Sequence, residues 1–246
     1  MINYTFKRVE VKFLLTKEQY ENIKDELFEH VKIDEYGMST IQSLYYDTKN
    51  DLLVRRSIEK PVFKEKLRLR SYGLAKMDSK LYLEIKRKYD GIVYKRRIGV
   101  TQAEANLYVK GNIIPDSQIG KEIIYMKKFY KDLEPKMLLI YDRCAYKEAG
   151  SDLRITIDEN IRYRKNNLDL TYSLDGNKLF DEDYYLMEIK TAYAFPLWLT
   201  KLLSKNKIYK TSFSKYGKAY LKELENEDKE ILTWKNYSDQ FLAVVQ

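Results

Sequence analysis

Between Lys66 and Arg70 the chain reads Lys-Leu-Arg-Leu-Arg, an alternation with the period of a β-strand rather than a helix. Successive strand residues point to opposite faces, so the three cations share one face and the two leucines the other. The pattern recurs. Within 83–88, Glu84, Lys86 and Lys88 lie opposite Leu83 and Ile85, and Lys95 pairs with Arg97 in 94–97. Arg8, Glu10 and Lys12 share a face near the start; later come Tyr141 with Arg143, Arg154 with Asp158, and Glu188 with Lys190. Such a chain builds a sheet with one apolar face and one charged face, and the fold must find a place for both.

Eight segments carry the alternation: 8–14, 40–47, 63–72, 80–88, 92–100, 138–147, 152–158 and 186–190. Few helical crossovers separate them, which predicts a mainly antiparallel sheet, and Asp90-Gly91 marks a hairpin turn. Helices are expected outside the sheet. Thr16 with Gln19 forms a capping box before Tyr20, Ile23, Leu27 and Val31; Thr101 with Glu104 repeats it, with Gly111 as the stop. A helix over 118–130 places Ile119, Ile123, Met126 and Tyr130 on one side. Pro196 opens another through Leu202, 217–224 forms a further one, and the tail 229–246 is predicted helical. The 4 Pro and 9 Gly are scattered, with no linker among them, so the 246 residues are read as one domain with a helical C-terminal segment from about 196 to 246. A chain of this length buries about three quarters of its unfolded surface and needs no disulfide or metal to fold.

Charge narrows the function. The formal net charge is +8, and Tyr, with 23 residues against 9 Phe, suits strands whose rings are buried while their hydroxyls find partners. A solvated sheet face mixes charge signs, because like charges opposite one another repel. Here cations dominate strand after strand, which calls for an anion. If the sheet closes into a barrel, the charged faces turn inward and the apolar faces outward onto the helices. A tunnel of that kind suits a chain of phosphates, gripped bidentately by Arg and by the compact charge of Lys. Nucleic acid is the competing polyanion and is disfavoured, though Tyr82 and Tyr141 could serve as stacking platforms.

Cys144 is the single cysteine, which excludes an intramolecular disulfide and a Cys metal cluster. The first twelve residues lack the apolar core of a secretory signal, and apolar clusters such as 137–141 are too short to span a bilayer. A cytoplasmic chain without transmembrane segments is expected. No G-x-x-x-x-G-K-[ST] occurs, so the phosphate site is not a P-loop.

These residues resemble the VTC-type catalytic domain, a polyphosphate polymerase within the triphosphate tunnel metalloenzymes. The resemblance runs from about Phe6 to Tyr220 and is carried by Arg8-Val-Glu10-Val-Lys12, Ser43-Leu-Tyr-Tyr-Asp47, Lys66-Leu-Arg68-Leu-Arg70 and Leu83-Glu84-Ile-Lys86. Tyr141-Asp-Arg143, Leu186-Met-Glu188-Ile-Lys190 and Ser214-Lys215-Tyr216 complete it. It implies an α+β fold, an eight-stranded antiparallel barrel with a charged interior, and transfer of the ATP γ-phosphoryl group to polyphosphate with Mn²⁺ or Mg²⁺. It also implies that Lys12, Arg68, Arg70, Lys86, Arg143 and Lys190 act on the reacting phosphates. Arg8, Lys66, Lys88, Lys95, Arg97, Tyr141, Arg154, Ser214 and Lys215 would bind substrate. Glu188 would be the metal ligand, and Glu10 either a second ligand or a counter-charge between Arg8 and Lys12. ATP and polyphosphate are the expected partners, and any membrane partner would be a separate chain.

Phosphoryl transfer needs positioning and neutralisation of charge more than covalent help, and hard divalent ions take few carboxylates when phosphates supply the rest. Sparse acids among many bases fit that chemistry. His30, the only histidine, falls on the first amphipathic helix, where it is read as packing or surface, and Cys144 lies on the strand face opposite Arg143. A terminal phosphate needs no strong base to attack, which favours a transferase. A tripolyphosphatase or nucleoside triphosphatase of the same fold stays open, as does a non-catalytic module binding polyphosphate or RNA.

Overall fold

In the computed structural model, residues 9–110, 116–131 and 133–228 are described; Arg8, Gly111 and the predicted helical tail 229–246 lie outside them. The strands are β1 (Val9–Thr16), β2 (Lys32–Asp47), β3 (Phe63–Tyr72), β4 (Lys80–Tyr89), β5 (Ile92–Thr101), β6 (Glu134–Lys147), β7 (Arg154–Arg164), β8 (Asn177–Lys178), β9 (Tyr184–Thr191) and β10 (Lys210–Thr211). The helices are α1 (Lys17–His30), α2 (Leu52–Glu59), α3 (Gln102–Lys110), α4 (Gln118–Tyr130), α5 (Leu197–Lys205) and α6 (215–228).

All strand pairings are antiparallel, in the order β10-β1-β9-β7-β6-β2-β3-β4-β5, with β8 added to β7. The expected eight-stranded closed barrel is therefore corrected to ten strands in a sheet that does not close. At the β1 edge Lys210 and Thr211 pair with Phe13 and Lys12, and β5 ends the sheet at the other side. Both extra strands have only two residues, too few to show alternation. The sheet curls nevertheless, far enough that Lys86 on β4 reaches Glu10 on β1, which is paired in the sheet with Lys190 on β9.

The outer face is apolar, as the alternation requires. Leu67, Leu69, Leu83 and Ile85 pack under Ala105 of α3 and Ile123 and Met126 of α4. Phe13, Leu15, Ile155 and Ile189 pack under Ile23 and Leu27 of α1 and Leu199 and Leu202 of α5. The capping box of α1 is formed, Gln19 N donating to Thr16 Oγ1 at 3.2 Å and Thr16 N to Gln19 Oε1 at 3.1 Å. Reciprocal bonds of Thr101 and Glu104 open α3 in the same way. His30 stacks on Trp198 at 4.1 Å, and Cys144 is buried in the second of these clusters.

The interior is not charged throughout, which amends the expectation of a charged tunnel. Part of the inner face, formed by Ile41, Tyr45, Leu139, Tyr141 and Leu186, is covered by Val54 of α2 and by Tyr216 and Ala219 of α6. Buried Asp47 at the end of β2 anchors both helices. Its carboxylate accepts from Leu53 N at 2.8 Å, Val54 N at 2.9 Å and the Tyr216 hydroxyl at 3.0 Å. Among the described residues no helix is long and apolar enough to cross a membrane.

Candidate functional site

Strand parity brings the cations together. Tyr45 on β2 lies opposite Arg68 on β3, which lies opposite Glu84 on β4, which lies opposite Arg97 on β5. On the other side of the curl, Lys12 on β1 lies opposite Glu188 on β9, and Glu188 opposite Thr156 on β7. The two halves converge on the polar part of the inner face.

Glu188 is the centre of one half. Lys12 Nζ stands 3.3 Å from it, Lys190 Nζ 3.6 Å, Arg143 Nη2 3.8 Å and Lys215 Nζ 4.0 Å. Burial alone would raise its pKa, but Lys12, Lys215, Arg143 and Lys190 outweigh it and hold the carboxyl well below its ordinary range. For Lys12 the opposing effects have the reverse sign: burial lowers its pKa, and Glu188 with Glu10 raises it above the usual value. Lys12 Nζ also donates to Phe213 O at 3.1 Å, which ties β1 to the segment leading into α6.

Asp158 is fully buried and holds Arg143 through a two-pronged contact, with Nε 2.5 Å from Oδ1 and Nη2 2.7 Å from Oδ2. Lys215 Nζ bonds the same carboxylate and lies 4.4 Å from the centroid of the Tyr141 ring. Burial opposes ionisation of Asp158, but Lys215 and Arg143 lower its pKa.

Glu84, equally buried, centres the other half. Arg68 Nε is 2.6 Å away, Lys95 Nζ 2.7 Å and Arg70 Nε 3.9 Å. Against the cost of burial, Arg68, Arg70 and Lys95 pull its pKa down to about 2. Arg70 donates to Ser43 Oγ at 3.3 Å and to the Tyr141 hydroxyl at 3.2 Å. Lys66 Nζ donates to Ser214 Oγ at 2.9 Å, the same oxygen that caps α6 by accepting from Gly217 N.

Burial sets the remaining protonation states. It pushes Lys66 down to about 8, helped by Lys12, Lys86 and Lys64 and resisted by Tyr45. It pushes Lys95 to about 8 against the pull of Glu84, and it lowers Lys86 as well. For the Tyr45 phenol burial acts upward, yet Arg68, Lys66 and Arg70 bring it down to about 7. Tyr45 stacks on Tyr216 at 4.5 Å and accepts from Arg68 Nη1 at 3.1 Å.

The structure thus gathers Glu10, Lys12, Lys66, Arg68, Arg70, Lys86, Lys95, Tyr141, Arg143, Glu188, Lys190, Ser214 and Lys215 on one surface. Arg97 turns the same way, its guanidinium 4.6 Å from the Tyr82 ring centroid, whereas neighbouring Arg96 points outward to Glu122 on α4. Lys88 is exposed beyond Lys86 on β4. Arg154 is half exposed and engaged with Asp34 at 2.7 Å, at the margin of the group. Sequence reasoning did not single out Glu84, Asp158 or Tyr45 as site residues. Parity was the available signal, since Tyr45 shares a face with Ser43, and Glu84 and Asp158 share faces with assigned cations. Of the two stacking platforms considered for bases, Tyr141 is buried beneath Arg143 and Lys215, and Tyr82 is covered by Arg97.

Two carboxylates suit a hard divalent ion. Glu10 and Glu188 share two ammonium partners, Lys12 and Lys190. Among the described residues no group of three or more His, Cys, Asp or Glu is placed to hold a metal ion.

Solved structures share the fold. A candidate adenylate cyclase from Bacillus halodurans is similar over 84% of this chain and 93% of its own, at 14% identity and a TM-score of 0.55. A candidate adenylyl cyclase from Hippeastrum, described as having a dominant triphosphatase activity, is similar over 85% of this chain and 93% of its own, at 18% identity and a TM-score of 0.51. Nothing among curated proteins matches the sequence. The sequence profile of the VTC domain matches residues 7–223, nearly the whole of the described structure, and the chain belongs to the VTC domain family.

Proposed function

We propose that this chain is a phosphoryl transferase that lengthens inorganic polyphosphate from the γ-phosphate of ATP, its residues 1–246 acting as one unit. The observation that carries the reading is Glu188, a carboxylate held ionised among Lys12, Arg143, Lys190 and Lys215. Glu84 and Asp158 are each clamped by an arginine at 2.5 to 2.6 Å, whereas Glu188 is shared among four cations at 3.3 to 4.0 Å, an arrangement open to a metal cation seated together with phosphates.

In this reading Arg68, Arg70, Lys86 and Lys95 hold the triphosphate of the donor, and Lys12, Arg143, Lys190 and Lys215 align the acceptor. Asp158 and Glu84 fix their guanidinium and ammonium groups in advance, so little reorganisation is needed when charge redistributes. Tyr141 and Ser214 donate hydrogen bonds to phosphate oxygens. Glu188 and Glu10 would hold Mn²⁺ or Mg²⁺, which supplies neutralisation of phosphate charge. The acceptor phosphate is already anionic, so none of these side chains has to remove a proton from it.

The test is incubation with ATP and Mn²⁺ and separation of the products by size. A ladder of polyphosphate, absent with Glu188→Ala although that variant still binds polyphosphate, is the expected result. Free phosphate without polymer would assign hydrolysis, a reading favoured by the triphosphatase activity named for the Hippeastrum protein. No consumption of ATP would overturn both.

A further inference from the structure

The β4–β5 hairpin leaves the sheet with apolar side chains exposed on both of its faces. Phe63, Tyr89 and Ile92 are aligned across β3, β4 and β5, and Lys64, Lys88 and Val93 form the adjacent row. Asp90 N donates to Val62 O at 3.1 Å, which brings Val62 to the same tip. Val62 is 65% exposed, Tyr89 56%, Ile92 48% and Val93 45%, in a part of the sheet where the outer edge of β5 carries no further strand. Exposed edges in soluble proteins are normally guarded by charge, and contiguous apolar side chains there mark a contact surface.

The charge at this tip indicates what is contacted. Lys60, Lys64 and Lys88 lie close enough that, with burial, the charges of Lys88, Lys60 and Lys86 all push the Lys64 ammonium down from its ordinary pKa. Aromatic and branched aliphatic side chains ringed by lysines match an interface where hydrocarbon lies beneath negative headgroups. Asp90 in the turn offsets one of these charges, and a neutral apolar protein surface would leave the remaining positive charge unmatched.

We propose that the β3–β5 tip docks on an anionic lipid bilayer, Val62, Phe63, Tyr89, Ile92 and Val93 entering the interface and Lys60, Lys64 and Lys88 meeting the headgroups. At about 1 kcal/mol per net positive charge near such a surface, three lysines offset by Asp90 correspond to a preference of roughly 30-fold for anionic over zwitterionic vesicles.

The experiment is co-sedimentation of the full chain with phosphatidylcholine vesicles, with and without phosphatidylserine, at physiological salt. Binding confined to the anionic vesicles, and weakened at least tenfold by the double substitution Ile92→Ser and Val93→Ser, is the expected result. That variant keeps the net charge, so the remaining basic surface alone would bind it unchanged; undiminished binding would overturn the proposal. So would absence of binding to either vesicle. Self-association of the wild type without vesicle binding, lost in the double variant, would assign the tip to a contact between copies and equally overturn it. The melting temperature of the variant, expected unchanged at these exposed positions, checks its fold.

Discussion

Glu84 grips Arg68 at 2.6 Å from a position with no solvent exposure, in register across β3 and β4. Replacing it by Gln leaves Arg68, Arg70 and Lys95 facing one another without an anion. Breaking a buried ion pair from one side costs about 3–5 kcal/mol, and Glu84→Gln should lose that much in urea denaturation at pH 7. The carboxyl is depressed from 4.5 to about 2 in the fold, so its contribution is complete above pH 4.5 and disappears as pH falls through 2. The difference between wild type and variant should close over that window.

Lys66 and Lys95 have pKa values lowered to about 8, and Tyr45 has one lowered to about 7. Rising pH removes positive charge at the two lysines and adds negative charge at Tyr45. Affinity for tripolyphosphate, measured calorimetrically without metal, should therefore fall by at least about tenfold between pH 7 and 9.5. Because the folded-state lysine pKa values lie below their unfolded ones, their effect on stability has the opposite direction: stability should rise between pH 8 and 10.5. Lys66→Arg should flatten the binding profile, since a guanidinium keeps its charge throughout.

Glu10 reaches Lys12, Lys86 and Lys190 at 3.7 to 3.9 Å and is the less buried of the two proposed metal ligands. Glu10→Gln should raise the Mn²⁺ concentration for half-maximal turnover about tenfold. Binding of tripolyphosphate in the absence of metal should strengthen, because one negative charge leaves the surface. Unchanged metal demand with tighter binding would make Glu10 a counter-charge only.

Asp47 accepts from two amides of α2 and from the Tyr216 hydroxyl on α6. Asp47→Ala strands these buried donors, and a loss of about 2–4 kcal/mol is expected from chemical denaturation. The same substitution should loosen α6 and with it Ser214 and Lys215, visible as faster amide exchange over 214–220.

Much of this was legible in the sequence because it depends on local period. The run Lys66–Arg70 could face only one way once its leucines were buried, and the capping boxes at Thr16 and Thr101 marked helix starts within a residue. Helix α2 escaped notice because its N-cap, Asp51, has a left-handed backbone and makes no side-chain cap bond. Its amides are satisfied instead by Asp47, several residues upstream. Closure of the sheet was misjudged because β8 and β10 are too short to carry a period. The roles of Glu84 and Asp158 depend on which cations meet them, and Lys215 reaches Asp158 from 57 residues away. Alternation assigns a face to a residue; it does not name the neighbour across the curl.

The seam between β1 and β4 has a further consequence. Elsewhere in the sheet neighbouring strands are joined by backbone hydrogen bonds, which salt leaves largely untouched. Across the seam, among the described residues, Lys86 meets Glu10 at 3.8 Å, both side chains about one third exposed. Ions at 0.15 M screen such a contact over a Debye length of about 8 Å, so it weakens as salt rises while the ladders on either side persist. The curl thus combines the salt-insensitive packing of α2 and α6 with one ionic contact whose strength depends on the electrolyte around it and on any polyanion that competes for its lysine.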